Sequence, residues 1–187
     1  MKIAIIGAHS TGKTTLLRNL NNRLMGDGFK TVVLPEYARL CPFPIDEETT
    51  FDAQRWIQEQ QINEELAIDH TNKILLCDRA TIDNFAYFYR AAKLREQLNE
   101  IARWETLAAE HMTTYDIVFK TTKLHIAPED DGKRSTNEEF RNEIDILIHE
   151  LLRKHTINYI PLPQTLNYET HLTYMMNKLM LPVQAVR

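Results

Sequence analysis

Residues 7–15 read GAHSTGKTT, two glycines five positions apart followed by a lysine and a threonine. Gly7-x-x-x-x-Gly12-Lys13-Thr14 has the spacing of a phosphate-gripping loop. Glycines let successive backbone N–H groups turn inward, a following helix adds partial positive charge at its N-terminus, and Lys13 adds a full charge. The Thr14 hydroxyl is suited to ligate Mg²⁺. Gly7, Ser10, Thr11, Gly12, Lys13, Thr14 and Thr15 are therefore the expected nucleotide-binding residues, with His9 assigned proximity alone. The competing reading is a glycine turn that merely starts a helix and leaves Lys13 in solvent. Such a loop also needs a carboxylate on the magnesium side, at the end of a neighbouring buried strand. Asp78, which closes ILLCD, fits that place; it could equally cap a helix beginning near Ala80.

The elements around the loop meet the requirement of strand before and helix after. Lys2 to Ile6 predicts the first strand, Gly12 to Met25 the first helix, and residues 31–35 a second strand after the glycines of GDGFK. A helix is expected over 47–72, and KILLCD at 73–78 reads as a strand buried on both faces. Helices follow over 81–92 and about 93–111. Strands are expected at 115–121 and 157–162, with a helical stripe from Phe140 to Leu152 and a last helix carrying Leu172 to Leu179. The polar run 127–135 lies between a strand and a helix. Strands alternating with helices predict an α/β fold: a three-layer sandwich around a mainly parallel five-stranded sheet, in one P-loop domain spanning 1–187. Ligands of such a sheet bind beyond the carboxyl ends of its strands, which gathers residues 7–15, Pro35 to Tyr37, Asp78, Arg79, Thr121 and Thr122 at one crevice.

The 187 residues suffice for a full core without disulfides or structural metal. A hydrophobic fraction of 43% with 26% charged residues is ordinary for a globular chain and argues against extended disorder. A net charge of -4 supplies no overall attraction for nucleic acid or an anionic membrane, so neither is an expected partner. Cys41 and Cys77 have neither metal nor redox spacing, which suits two free thiols in a reducing cytoplasm. The first apolar run stops at Gly7, too short for an export signal, and no segment approaches the length of a membrane span.

Among phosphate-loop proteins, the guanine readers need Asn-Lys-x-Asp. Asn72-Lys73 and Asn177-Lys178 both lack the aspartate. Ring-forming ATPases need a second helical subdomain after the last strand. A small kinase remains: Glu36 and Arg39 end the second strand, Arg79 adjoins Asp78, and Lys133 and Arg134 lie on a connection suited to a cationic lid at about 127–136. Phosphoryl transfer asks for positioned charge, an oriented hydroxyl and exclusion of water, and this set supplies all three.

GAHSTGKTTL, PEYAR, CDRATIDNFAY and DDGKRSTNEEFRNEID together resemble the NadR-like P-loop kinase domains, the group that contains ribosylnicotinamide kinase and is related to thymidylate and deoxynucleoside kinases. The likeness runs over nearly the whole chain. The chain has no His-x-Gly-His, the mark of the adenylyltransferase half found in larger members. The resemblance implies a carboxylate near the acceptor hydroxyl, Glu36 first and Asp78 second, and an arginine touching phosphates, Arg79, whose bland alternative is a salt bridge to Asp83. Arg134, in Asp131-Gly132-x-Arg134, would contact a phosphate. Tyr37 and Tyr87 are expected to stack on a planar base, and Asp83 to meet a sugar hydroxyl.

These readings converge on an enzyme: a magnesium-dependent transferase moving a phosphate from ATP to a hydroxyl of a nucleoside-like small molecule, nicotinamide riboside foremost, which would place it in NAD metabolism. A nucleoside monophosphate or deoxynucleoside acceptor is the alternative, with Arg39, Arg55 and Arg90 as the extra cations. A nucleotide sensor that hydrolyses ATP without a small acceptor is the rival of another class. Homo-oligomerisation is left open.

Overall fold

A computed structural model of the chain describes residues 1–45, 48–96, 99–122 and 137–179. The expected lid, with Lys133 and Arg134, lies outside the described residues. Five strands, β1 (Lys2–Ile6), β2 (Thr31–Leu34), β3 (Ile74–Asp78), β4 (Ile117–Lys120) and β5 (Ile160–Pro161), pair in parallel in the order β2-β3-β1-β4-β5. Helices α1 (Lys13–Gly26), α2 (Phe51–Ala67), α3 (Thr81–Leu94), α4 (Ile101–Met112), α5 (Glu138–Lys154) and α6 (Tyr168–Leu179) cover both faces. This is the three-layer α/β sandwich.

Alternation along β1 splits the core in two. Ala4 and Ile6 join the cluster built with α2, α3, α4 and α5, whereas Ile3 and Ile5 join the one built with α1 and α6. A strand that must satisfy two apolar layers is apolar at nearly every position, and Ile3 to Ile6 are wholly buried. Register then levels the strand ends: Ile5 lies opposite Asp78 and Ile6 opposite Lys120, so the residues that follow β1, β3 and β4 emerge side by side.

The boundaries differ from expectation for local reasons. The helix expected from Glu47 begins at Phe51, because Thr50 accepts the N–H of Ala53 as an N-cap at 3.1 Å. The helix expected from about Lys93 starts at Ile101, α3 having run on to Leu94 before Glu96 takes a left-handed φ of 54°. β5 shrinks to Ile160–Pro161, an edge strand in which Pro161 is tolerated and from which the Leu162 N–H still reaches the Lys120 carbonyl at 2.9 Å.

No described helix is long and apolar enough to cross a membrane. Cys41 and Cys77 are both free thiols.

Candidate active site

The glycine loop wraps the end of β1. Gly7 has φ 141° and Gly12 φ 79°, both in the region that favours glycine. A Cβ on Gly7 would come within 2.2 Å of Thr121 Oγ1, so the loop also needs glycine there for space. Thr121 Oγ1 lies 2.8 Å from Thr11 Oγ1 and donates to the Ile6 carbonyl, which ties the loop to the end of β4. Thr11 also donates to the Ala8 carbonyl. Lys13 is buried inside the loop, its Nζ 2.6 Å from the Ala8 carbonyl. Burial, with Arg79 nearby, lowers its pKa to about 7 despite the carboxylates of Glu36, Asp83 and Asp78. A polyphosphate entering the loop would restore the positive charge.

Thr14 donates its hydroxyl to Asp78 Oδ2 at 2.6 Å. Asp78 is buried, and desolvation and neighbouring Glu36 raise its pKa. Asp78 Oδ1 and Ser10 Oγ are buried without a hydrogen-bond partner among the described residues. Two unsatisfied oxygens beside the glycine loop and Lys13 suit a hydrated divalent cation and the phosphates it accompanies. Asp78 does not cap α3. That task falls to Asp83, which accepts the Ala80 N–H at 2.8 Å.

Arg79 holds the site together. Its φ of 87° turns the chain sharply at the end of β3, and its N–H still bonds the Ile5 carbonyl. The guanidinium is buried: Nε donates to Glu36 Oε1 at 2.8 Å, and a terminal nitrogen donates to Asp83 Oδ2 and to the Gly7 carbonyl, each at 3.2 Å. Arg39 Nε meets the other oxygen of Glu36 at 3.0 Å. Arg79 therefore spans from acceptor carboxylate to phosphate loop, and the salt bridge to Asp83 is present as one of its three links.

A cleft partly open to solvent adjoins the loop. Glu36, Arg39, Arg79, Gln54, Asn84 and His9 give it polar walls; Tyr87, Phe140, Ile57, Ile45 and Ala38 give apolar ones. Apolar walls with a few convergent polar groups describe a ligand pocket.

Two substrate expectations are not met by this geometry. Asp83 is wholly buried, spends its oxygens on Ala80 N–H, Gly7 N–H and Arg79, and is not among the residues lining the cleft. Tyr37 is packed in the core cluster rather than among the residues lining the cleft. Tyr87 does line it. Arg55 pairs with Asp52 and Arg90 with Glu143, and neither is itself a lining residue, although the Arg90 guanidinium lies over the Phe140 ring at 4.3 Å. Thr15 is half-buried on the first turn of α1.

Sequence reasoning missed Gln54, Asn84 and Phe140. Asn84 is buried with its Nδ2 lacking a partner among the described residues, and it lines the cleft. The signal was helical spacing: Asn84 and Tyr87 are three apart on one face, whereas Phe85 and Phe88 turn into the core.

A family model described as AAA domain matches residues 2–170. No curated protein matches. Among solved structures, NadR protein in complex with NR superposes with a TM-score of 0.71 at 20% identity, covering 100% of this chain and 53% of that one. NadR in complex with NAD and AMP-PNP gives 0.71 at 17%, covering 100% and 51%. This chain thus spans about half the length of either NadR chain. Deoxyadenosine kinase from M. mycoides, with products dCMP and a flexible dCDP bound, gives 0.62 at 16%, covering 96% of this chain and 98% of that one. At these identities the likeness is one of fold.

Proposed function

We propose, from the premise that this chain belongs to the AAA domain family, that it is a kinase transferring the terminal phosphate of ATP to a hydroxyl of a nucleoside-like small molecule, with nicotinamide riboside the leading acceptor. The observation that carries this reading is Glu36 standing in the wall of the cleft, joined through Arg79 to the Gly7 carbonyl of the phosphate loop. A loop used for hydrolysis alone has no need of a buried carboxylate facing a second, apolar-walled pocket.

In this mechanism the amides of residues 10–13 and the Lys13 ammonium hold the phosphates, so the outermost phosphorus points toward the cleft. Thr14 and Asp78 would hold Mg²⁺, which when bound neutralises charge on the phosphate oxygens. The acceptor oxygen bonds to that phosphorus as the bond from phosphorus to the bridging oxygen breaks, and ADP leaves. Glu36 aligns the hydroxyl and takes its proton as the new bond forms. Arg79 and Arg39 fix the carboxylate for that task.

We favour an uncharged acceptor over a nucleoside monophosphate because, of the three extra cations, Arg55 and Arg90 pair with Asp52 and Glu143 and Arg39, in the cleft wall, holds Glu36. Asn84 Nδ2 offers a donor to a carbonyl on the heterocycle, and a carboxamide such as that of nicotinamide presents one. Incubation with labelled ATP, magnesium and a panel of nucleosides and nucleotides tests the reading. Label is expected on nicotinamide riboside before any monophosphate. Label recovered only as inorganic phosphate, with each acceptor unchanged, overturns it in favour of a sensor.

A further inference from the structure

His9 belongs to the phosphate loop by sequence, yet its ring lies in the wall of the acceptor cleft. The ring is buried, with its centroid 5.0 Å from Phe140 and 6.1 Å from Tyr87, two residues that line the same cleft. The Tyr87 hydroxyl oxygen accepts the His9 main-chain N–H at 2.8 Å and lies 3.1 Å from His9 Nδ1. The phenol oxygen, with one proton and two lone pairs, can serve both His9 nitrogens at once whichever ring nitrogen carries the proton. On its other side the Tyr87 ring faces the Arg79 guanidinium at 4.9 Å, and Arg79 in turn holds Glu36 and the Gly7 carbonyl.

Four contacts thus close a circuit. The loop is grasped at Gly7 by Arg79 and at His9 by Tyr87, while Arg79 and Tyr87 both stand in the cleft wall. A molecule seated against Tyr87, Phe140 and His9 restricts the side chain that fixes the His9 peptide, and that peptide lies within the phosphate-gripping turn. With the cleft empty that restriction would be absent, and ordering the turn would fall to the nucleotide.

We infer that the Tyr87 hydroxyl is a positioning residue that couples the two ligand sites: acceptor binding organises the phosphate loop through His9, and the triphosphate in turn tightens acceptor binding. This rests on the kinase reading of the cleft. Reciprocity follows from linkage, and couplings of this kind commonly amount to about 5- to 150-fold.

The test is a cycle of two ligands and one substitution. Calorimetry would measure the Kd of AMP-PNP with magnesium, alone and with saturating nucleoside, in the wild type and in Tyr87→Phe. The probes are nicotinamide riboside and the common ribo- and deoxynucleosides. Phenylalanine keeps the ring under Arg79 and in the cleft wall but removes the oxygen that His9 uses. The wild type is expected to bind the analogue about tenfold tighter when the cleft is filled. In Tyr87→Phe that factor falls to about twofold or less, while affinity for the analogue alone changes less than the coupling does. A merely structural role would lower both affinities and leave the coupling intact, and that result overturns the inference. So does a wild type that binds both ligands independently. A panel in which no nucleoside binds overturns the kinase reading and the coupling together, which separates that failure from loss of coupling alone.

Discussion

Arg79 donates its Nε hydrogen to Glu36 Oε1 at 2.8 Å across 43 residues of chain, from the end of β3 to the end of β2. Both side chains are buried, and Arg39 takes the other oxygen of Glu36. A carboxylate gripped at both oxygens cannot rotate freely, so its direction is a property of the fold rather than of a ligand. The arginine reaches the position because its backbone adopts φ 87°, a conformation that costs about 1–3 kcal/mol in a residue other than glycine and persists where surrounding bonds over-determine it.

Glu36→Gln retains the shape and one hydrogen-bonding oxygen but cannot take a proton. The expected outcome is a fall in single-turnover transfer of about 10²-fold or more, with the Kd of AMP-PNP within about threefold of wild type. Rapid-quench kinetics and calorimetry on the same preparation check both halves. Turnover at the wild-type rate would remove Glu36 from the chemistry.

Arg79→Met strips the cation from two buried carboxylates, Glu36 and Asp83, and releases the Gly7 carbonyl. Leaving buried charge uncompensated costs about 3–5 kcal/mol. Urea denaturation should show a lower midpoint with an unchanged slope. Adding Glu36→Gln to Arg79→Met should recover part of the loss, because one of the stranded charges is then gone.

A second buried network lies at the other end of the strands, beside the start of central β1, where Glu65 meets Lys2, His111 and Tyr115. Burial pushes the Glu65 carboxyl up, but the His111 bond, the Lys2 charge and the Tyr115 hydroxyl outweigh it and hold the pKa below the ordinary carboxylate value. The folded state therefore binds the Glu65 proton less tightly than the unfolded chain. Its stabilising contribution is complete above the ordinary carboxylate range and is lost as pH falls through the lowered folded value. Glu65→Gln should be less stable than wild type by about 3–5 kcal/mol near neutrality, since Lys2 is left buried. Urea titrations at a series of pH values should show that gap narrowing below about pH 4.

The glycine loop, the order of strands and helices, and the convergence of Gly7, Glu36 and Asp78 were readable because each rests on local rules. Glycine spacing, continuous apolar runs and strand ends are properties of short windows. What escaped depended on contacts between distant segments. Asp83 looked like a polar residue free to meet substrate, yet its carboxylate is consumed by Gly7 N–H, 76 residues away, and by Arg79. Tyr37 follows Glu36 directly, and its burial is decided by the helices packed above it rather than by its neighbours in sequence. Gln54 and Asn84 come from two different helices, and no spacing rule relates them. The Glu65 network brings together β1, α2 and α4, which no single stretch reveals.

Lys13 is the residue whose loss should separate stability from binding. Its pKa is lowered from 10.5 to about 7, chiefly by desolvation. Between those values the unfolded chain holds the proton and the folded, ligand-free protein does not, so stability rises with pH across that window. A buried lysine with its pKa moved down is a cost to the empty protein. Lys13→Met, of similar length and without charge, is therefore expected to raise the Tm of the ligand-free protein by about 3 °C or more at pH 7, while weakening AMP-PNP binding at least tenfold. In the wild type, triphosphate binding restores the proton, so calorimetry at pH 8 in buffers of different ionisation enthalpy should report proton uptake, and affinity should fall as pH climbs above 7. Lys13→Met should abolish that buffer dependence. A destabilised Lys13→Met protein, or binding with no proton exchanged at pH 8, would mean that the ammonium is already charged and satisfied in the empty loop.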